Sequence, residues 1–369
     1  MLGIGICSMK LSNLTEGRDN NFNLIRIIAA LAVLVDHSFA LAVGTADARP
    51  FLKYSSLNIS FLAVDVFFVT SGFLVTASLL KRQNIMEFVL ARVLRIYPAL
   101  LVMQFLVVFG LGLFFTTAGR TSYLVSSDTL VYWIKGSTLV TGLATTLPGV
   151  FERNPFKNSV NGSLWTMPYE IGMYTILVGM WAVLYLVPRV RYTAFKVMIV
   201  GCFTVATLLL LFSHMYMIQE DKFLRLFVMF FSGAVGFALA DCVVLSRVAF
   251  WSMIAVVPSL FILGELVFFA AYVLALPYVL LYIAYIPSGL VRKYNFLGDY
   301  SYGVYIYGWP VQQSIVSLIP GVSVLALMLI SAGVTIVLAG LSWHLIEQRV
   351  LQLKCRAVGY ARSLCSAPF

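Results

Sequence analysis

The chain has 369 residues, 61% of them hydrophobic and 11% charged, with a net charge of +10 and a mean hydropathy of +0.95. So little polar sequence cannot cover a water-soluble core, which excludes a soluble globular protein. The apolar runs are long enough to cross a hydrocarbon layer of about 30 Å and lack the short alternation of barrel strands, so the fold class is all-α, a polytopic membrane helical bundle.

Residues 1–21 form an expected cytoplasmic tail. Residues 1–8 lack a basic region and no small-residue cleavage site follows the first apolar run, so that run is expected to stay in the mature chain, with Met9-Lys10 reading as a more natural start than Met1. About ten transmembrane helices of roughly 20 residues are predicted, at 22–43, 58–80, 96–115, 169–187, 197–213, 223–240, 250–264, 266–286, 297–319 and 322–345. Gly264-Glu265 is the sole break between the seventh and eighth. With both termini cytoplasmic, 17 of the 25 Lys and Arg residues fall on the inner side, following the positive-inside rule. The positive charge therefore reads as a topology signal. Its dispersal along loops argues against a nucleic-acid partner and for membrane lipids. Residues 346–369 are a short basic cytoplasmic tail, and the five cysteines lack metal-ligand spacing, so no metal is expected.

Within the first span, Arg26 and His37 are eleven residues apart. That is close to three helical turns, which puts both on one face about 16 Å apart. Ionisable groups inside a bilayer usually mark a pathway or a reaction centre. An inner connection, 81–98, carries Lys81, Arg82, Arg92, Arg95 and Tyr97. Arg92 and Arg95 share a helical face, and two readings stay open: anchoring to lipid headgroups, or a bidentate clamp for the phosphates of a nucleotide or coenzyme A. The outer connection, 116–168, is far longer than ordinary loops and leads into Glu170.

The ordered series Arg26 and His37, Asp65-Val-Phe-Phe-Val-Thr-Ser-Gly-Phe73, Arg92-Val-Leu-Arg95-Ile-Tyr-Pro98, Asn161-Gly-Ser-Leu-Trp165 to Glu170, Ser301-Tyr-Gly-Val-Tyr305 with Trp309-Pro310, and Ser342-Trp-His-Leu-Ile-Glu347 resembles acyltransferase family 3. It is similar to the O-antigen, exopolysaccharide and Nod-factor O-acetylases over about residues 20 to 350, which frames 22–345 as a stand-alone membrane domain.

The resemblance implies an inner-membrane O-acyltransferase, specifically an O-acetyltransferase. Its donor would be cytoplasmic acyl-CoA, with acetyl-CoA the commonest, and its acceptor a hydroxyl of a surface or lipid-linked carbohydrate such as lipopolysaccharide. It implies His37 as the catalytic residue and Arg26 as its partner, with Arg92 and Arg95 on the donor side near Arg82, Lys81 and Tyr97. Imidazole suits removal of a proton from a sugar hydroxyl. His37 is then either a general base for direct attack, the preferred route, or an acyl relay. Glu170 is expected to assist the acceptor or hold the loop. Asp36 and Asp65 are expected to orient or balance His37 and Arg26, or to make helix-interface hydrogen bonds, and Ser71 to permit close helix approach. Trp165 and Tyr305 are packing aromatics or sugar-stacking rings, and Glu347 pairs with an inner arginine. Gly308 stands where relatives often have a histidine before Trp-Pro, and no esterase-like extension follows residue 350, so a separate periplasmic acyltransferase partner remains an option. The alternatives from other classes are a transporter or flippase, and a noncatalytic subunit of a polysaccharide export system.

Overall fold

A computed structural model describes residues 9–17, 19–50, 58–140, 142–216 and 222–357. The expected tails beyond these residues, with Cys7, Arg18, Lys53, Arg362 and Cys365, lie outside the described residues, as do the side chains of residues 353–357. The described chain is mostly helical, with one two-residue strand pair, Met9–Lys10 antiparallel to Val244–Leu245, and irregular connections.

The long helices are α1 (Phe22–Val43), α2 (Ile59–Arg82), α3 (Ile85–Phe105, continuing to Phe115), α4 (Ser127–Thr138), α5 (Met167–Val183), α6 (Arg191–Met215), α7 (Lys222–Ala238), α8 (Arg247–Ser259), α9 (Glu265–Tyr285), α10 (Ser301–Leu318) and α11 (Val324–Ser342, continuing to Ala357). Each of the ten predicted runs overlaps one of these helices. Six helices among the described residues are long and apolar enough to cross a membrane: Phe22–Val43, Ile59–Arg82, Ile85–Phe115, Arg191–Met215, Glu265–Tyr285 and Val324–Gln352. The protein is a multi-pass membrane protein.

Local chemistry explains the boundaries. α1 stops at Gly44, whose φ of 95° an L side chain rarely adopts, and a Cβ there would come within 2.9 Å of the Pro155 carbonyl oxygen. Between α2 and α3 the expected inner connection 81–98 shrinks to a turn at Gln83 and Asn84. The Asn84 side chain accepts from the backbone N–H of Met86 at 3.0 Å and starts α3 at once. Arg92 and Arg95 therefore stand inside a helix. Gly264, at φ 128°, separates α8 from α9 where the sequence places the break.

Small residues set the tightest packing. A Cβ on Gly72 of α2 would lie 1.8 Å from the Phe230 carbonyl oxygen of α7, and one on Gly233 would lie 1.9 Å from that of Val69. Two backbones approach this closely only where neither residue has a side chain. On the other side of α2 runs α1, antiparallel to it, and α10 completes the centre. Every residue from Ser301 to Pro310 is buried, so α10 is walled by protein all round.

The largest departure from the predicted layout is the connection 116–168. It folds back into the bundle instead of forming an external loop. α4 runs alongside α3, and a Cβ on Gly136 would collide with the Gln104 side chain at 1.5 Å. Tyr123 donates to the Val108 carbonyl at 2.9 Å, and Tyr97 donates to the Thr138 carbonyl at 3.0 Å. Farther on, Asn161 donates to the Ile306 carbonyl of α10 at 2.9 Å. The backbone carbonyls of Val108, Thr138 and Ile306 thus find side-chain donors between this segment and its neighbouring helices.

Candidate active site

α1 and α2 present matching stripes. On α1 the stripe is Arg26, Ala30, Val33 and His37, and on α2 it is Ser71, Phe67, Val64 and Ser60. The spacings mirror each other, so the antiparallel pair sets one against the other rung by rung. Both polar end rungs are in contact: Arg26 donates to Ser71 Oγ at 3.2 Å, and His37 Nε2 lies 3.4 Å from Ser60 Oγ. The rungs between them are apolar.

At the Arg26 end the polar groups form one connected network. Ser71 donates to Glu170 Oε1 at 3.3 Å, and the same oxygen accepts a short hydrogen bond from Tyr174. Arg26 Nε lies 3.7 Å from Asp299. Asp299 also receives Arg95 Nη2 at 2.5 Å, while Arg95 Nη1 reaches Glu347 at 2.6 Å. Ser301 and Ser342 donate to the two carboxylates, and the Arg95 guanidinium faces the rings of Tyr302 and Trp343, each at 5.6 Å. Arg92 sits 5.9 Å from the rings of Phe88 and Tyr174, within electrostatic reach of Arg82, Arg95 and Glu170. Three guanidinium groups thus face three carboxylates.

A cavity opens onto this network. Its polar lining comes from Arg26, Ser71, Glu170, Thr166, Tyr302 and Tyr305, with Val64, Phe67, Phe68 and Met167 as its apolar wall. Thr166 Oγ1 and the Tyr305 hydroxyl are hydrogen-bonded at 2.6 Å. Thr166 comes from the end of the connection 116–168, and Met167 and Glu170 come from the first turn of α5. Val64 and Tyr305 each stand four residues from the His37 end, at Ser60 and Trp309 respectively. One helical turn, about 6 Å, therefore separates the cavity from His37.

His37 is 5% exposed, and its ring packs edge-on against Trp309 at 4.7 Å. Asp36 is fully buried, with Arg49 Nε at 3.6 Å and the Ser60 hydroxyl, which also faces His37, within reach of its carboxylate. Below them, Gln312 donates to the Leu34 carbonyl at 2.8 Å and to Ser38 Oγ at 2.7 Å. Gln313 holds the re-entrant segment by donating to the carbonyls of Phe156 and Ser159 at 2.9 and 2.8 Å, and it accepts from Asn154 at 2.7 Å.

Several predicted site residues stand elsewhere than expected. Asp65 meets neither His37 nor Arg26. Its carboxylate receives Arg225 at 2.8 Å and the Tyr272 hydroxyl at 2.8 Å, because it lies on a different face of α2, towards α7 and α9. Arg95 has both of its terminal nitrogens engaged, by Asp299 and by Glu347. Lys81 points to the Thr15 carbonyl at 2.8 Å. Tyr97 is engaged with Thr138, away from the cavity. Glu170 stands in the first turn of α5, at a helix start as expected, and through Ser71 it is level with the middle of α2. Trp165 lies under Lys222, 5.2 Å from its ring, outside the cavity lining. Glu347 pairs with Arg95 as expected, and Tyr305 and Ser71 line the cavity. At Gly308 a Cβ would touch Leu34 of α1 at 3.6 Å, so the neighbouring helix occupies that side.

Ser60, Asp299, Thr166, Tyr302 and Gln312 were not singled out from the sequence. Ser60 alone had a usable signal: it precedes Ser71 by the same eleven residues that separate Arg26 from His37. Among the described residues no group of three His, Cys, Asp or Glu is placed to hold a metal ion.

Comparison with known proteins agrees with the series of motifs. The chain is 26% identical over 343 residues to an O-acetyl transferase of Shigella phage Sf6, covering 90% of this chain and 96% of that protein. It is 27% identical over 383 residues to nodulation protein 10 of Rhizobium leguminosarum bv. viciae, covering 93% and 96%. No solved structure shows significant similarity to it. Residues 19–344 match the acyltransferase domain that defines acyltransferase family 3, and the chain belongs to that family.

Proposed function

We propose that this protein is an inner-membrane O-acetyltransferase that moves an acyl group from cytoplasmic acyl-CoA to a hydroxyl of a surface or lipid-linked carbohydrate. Membership of a transferase family favours this over a transporter or a noncatalytic export subunit, and the Sf6 relative carries the name O-acetyl transferase. The observation that carries the reading is the pair of mirrored rungs, Arg26–Ser71 and His37–Ser60, with a cavity running from the first to within a turn of the second.

In this reading the Arg26 end faces the cytoplasm, in keeping with the bias of basic residues. Arg92 and Arg82 form no carboxylate ion pair within 4 Å among the described residues, although Glu170 is within electrostatic reach of Arg92, and they attract the donor phosphates. Arg95 acts by holding Asp299 and Glu347, and through Asp299 it positions Arg26. The neutral acyl end of the donor enters the cavity beside Arg26 and Glu170. His37 removes the proton from the hydroxyl that attacks the thioester carbonyl, a C–O bond forms as the C–S bond breaks, and the proton passes to the departing thiolate. Acetylation of surface glycan in cells expressing wild type or His37→Ala at equal levels tests the function. Loss of acetylation is expected, and retention would overturn it.

A further inference from the structure

We propose that Ser60 is a catalytic nucleophile that carries the acyl group between donor and acceptor, with His37 as its base. This rests on the transferase reading above and replaces its direct attack on the thioester by two steps through a covalent intermediate.

Four observations meet at this serine. Its Oγ lies 3.4 Å from His37 Nε2 and is 6% exposed. Among the described residues, Ser60 Oγ is the hydroxyl in hydrogen-bonding contact with that nitrogen. Second, Ser60 stands on the same α2 stripe as Val64, Phe67 and Ser71, which line the cavity, one helical turn beyond the Val64 end of it. Third, Ser60 is the second residue of α2. The helix-start amides of Ile59 and Ser60 precede the first bond of the helical ladder, Leu62 N–H to the Asn58 carbonyl at 3.0 Å. Such amides point their hydrogens out of the helix end, where an oxyanion gains most from them. Fourth, Asn58 is 2% exposed and its Oδ1 caps Phe61, while its Nδ2 has no partner among the described residues. A buried donor without a partner next to the nucleophile is a group waiting for an acceptor.

The chemistry balances in two halves. Ser60 Oγ–H gives its proton to His37 Nε2 as the oxygen attacks the thioester carbonyl. The C–S bond breaks, the proton passes from His37 to the thiolate, and an acyl ester remains on Ser60. In the second half the acceptor hydroxyl gives its proton to His37 and attacks the ester carbonyl. The C–O bond to Ser60 breaks, and His37 returns the proton to Oγ. Donor and acceptor then use one histidine in turn, each from its own end of the ladder.

The experiment incubates the purified full chain, in lipid nanodiscs without acceptor, with acetyl-CoA radiolabelled in the acetyl group, and maps the label by mass spectrometry. In wild type the label is expected on Ser60. It is expected to be absent from Ser60→Ala and present on the new sulfur of Ser60→Cys, where neutral hydroxylamine releases it. Glycan acetylation by Ser60→Ala is expected to fall by roughly 100-fold or more. Ser60→Ala that acetylates glycan at the wild-type rate overturns the proposal, as does label on His37 or no label on wild type that is active on glycan. In each of these outcomes the transferase reading stands if His37→Ala is inactive. That reading falls only if His37→Ala still acetylates.

Discussion

Replacing Arg95 by alanine separates a structural ion-pair hub from a phosphate clamp. Arg95 binds Asp299 at 2.5 Å and Glu347 at 2.6 Å, and its side chain is 17% exposed while that of Glu347 is 2% exposed. Removing one member of a buried pair typically costs 3–5 kcal/mol, because the remaining charge is left uncompensated. Asp299 would keep Arg26 and Ser301, so the loss falls chiefly on Glu347, and the partial exposure of Arg95 puts the cost near the lower end, about 3 kcal/mol. At about 2 °C per kcal/mol, the Tm of the purified protein should fall by roughly 6 °C. Adding Glu347→Gln to Arg95→Ala should recover part of that loss, since it removes the stranded charge. Intrinsic fluorescence on heating reads the Tm, and initial rates against acetyl-CoA concentration read KM. An Arg95→Ala protein with wild-type Tm and a raised KM would refute the hub and return Arg95 to direct phosphate binding.

Arg92 has the opposite expectation. Arg92→Ala should weaken acetyl-CoA binding about tenfold, the worth of one charge-assisted contact, with Tm unchanged; equal affinity by equilibrium binding would make Arg92 a lipid anchor. Gly233→Ala places a methyl group 1.9 Å from the Val69 carbonyl oxygen and should cost about 1–3 kcal/mol by forcing α2 and α7 apart, read as a lowered Tm. Asn154→Ala removes the donor of two hydrogen bonds to Gln313, at 2.7 and 2.9 Å, and should speed amide exchange across residues 142–166 relative to α2. Unchanged exchange there would mean that the segment is held by its apolar contacts alone.

The helices were legible because a membrane imposes a length on each apolar run. The limits of α1 at Phe22 and Val43 coincide with prediction, and Gly264 breaks α8 from α9 where two apolar runs touch. The connection 116–168 was not legible, since hydropathy reports only that a segment is too polar to span. It does not report that Asn154, Asn161 and Ser159 find partners on α10. Asp299 escaped for a related reason. Read alone, it is a loop carboxylate before a span, and its role appears only when Arg26 and Arg95 arrive from two other helices. Arg26 and His37 could be found from one helix, because an eleven-residue spacing fixes a face without any tertiary information. The partners of Asp65 could not, since nothing in residues 58–80 says that Arg225 and Tyr272 approach from α7 and α9.

The order of the rungs bears on how a charged donor and a hydroxylated acceptor can react inside a membrane. Arg26 and Ser71 form a polar rung, and His37 and Ser60 form another, but Val33 and Val64 between them are 3% and 4% exposed. Phosphate groups cannot follow the acyl chain past that apolar rung without losing both water and their guanidinium partners, a cost of several kcal/mol per charge. A neutral thioester meets no such barrier. In the proposed mechanism, arginines at one end and a histidine–serine pair at the other would therefore divide the donor by polarity, holding its charged part where it entered while its reactive carbonyl advances. The same rung would keep bulk water from a reactive acyl group until the acceptor arrives, so that transfer to a hydroxyl can compete with hydrolysis.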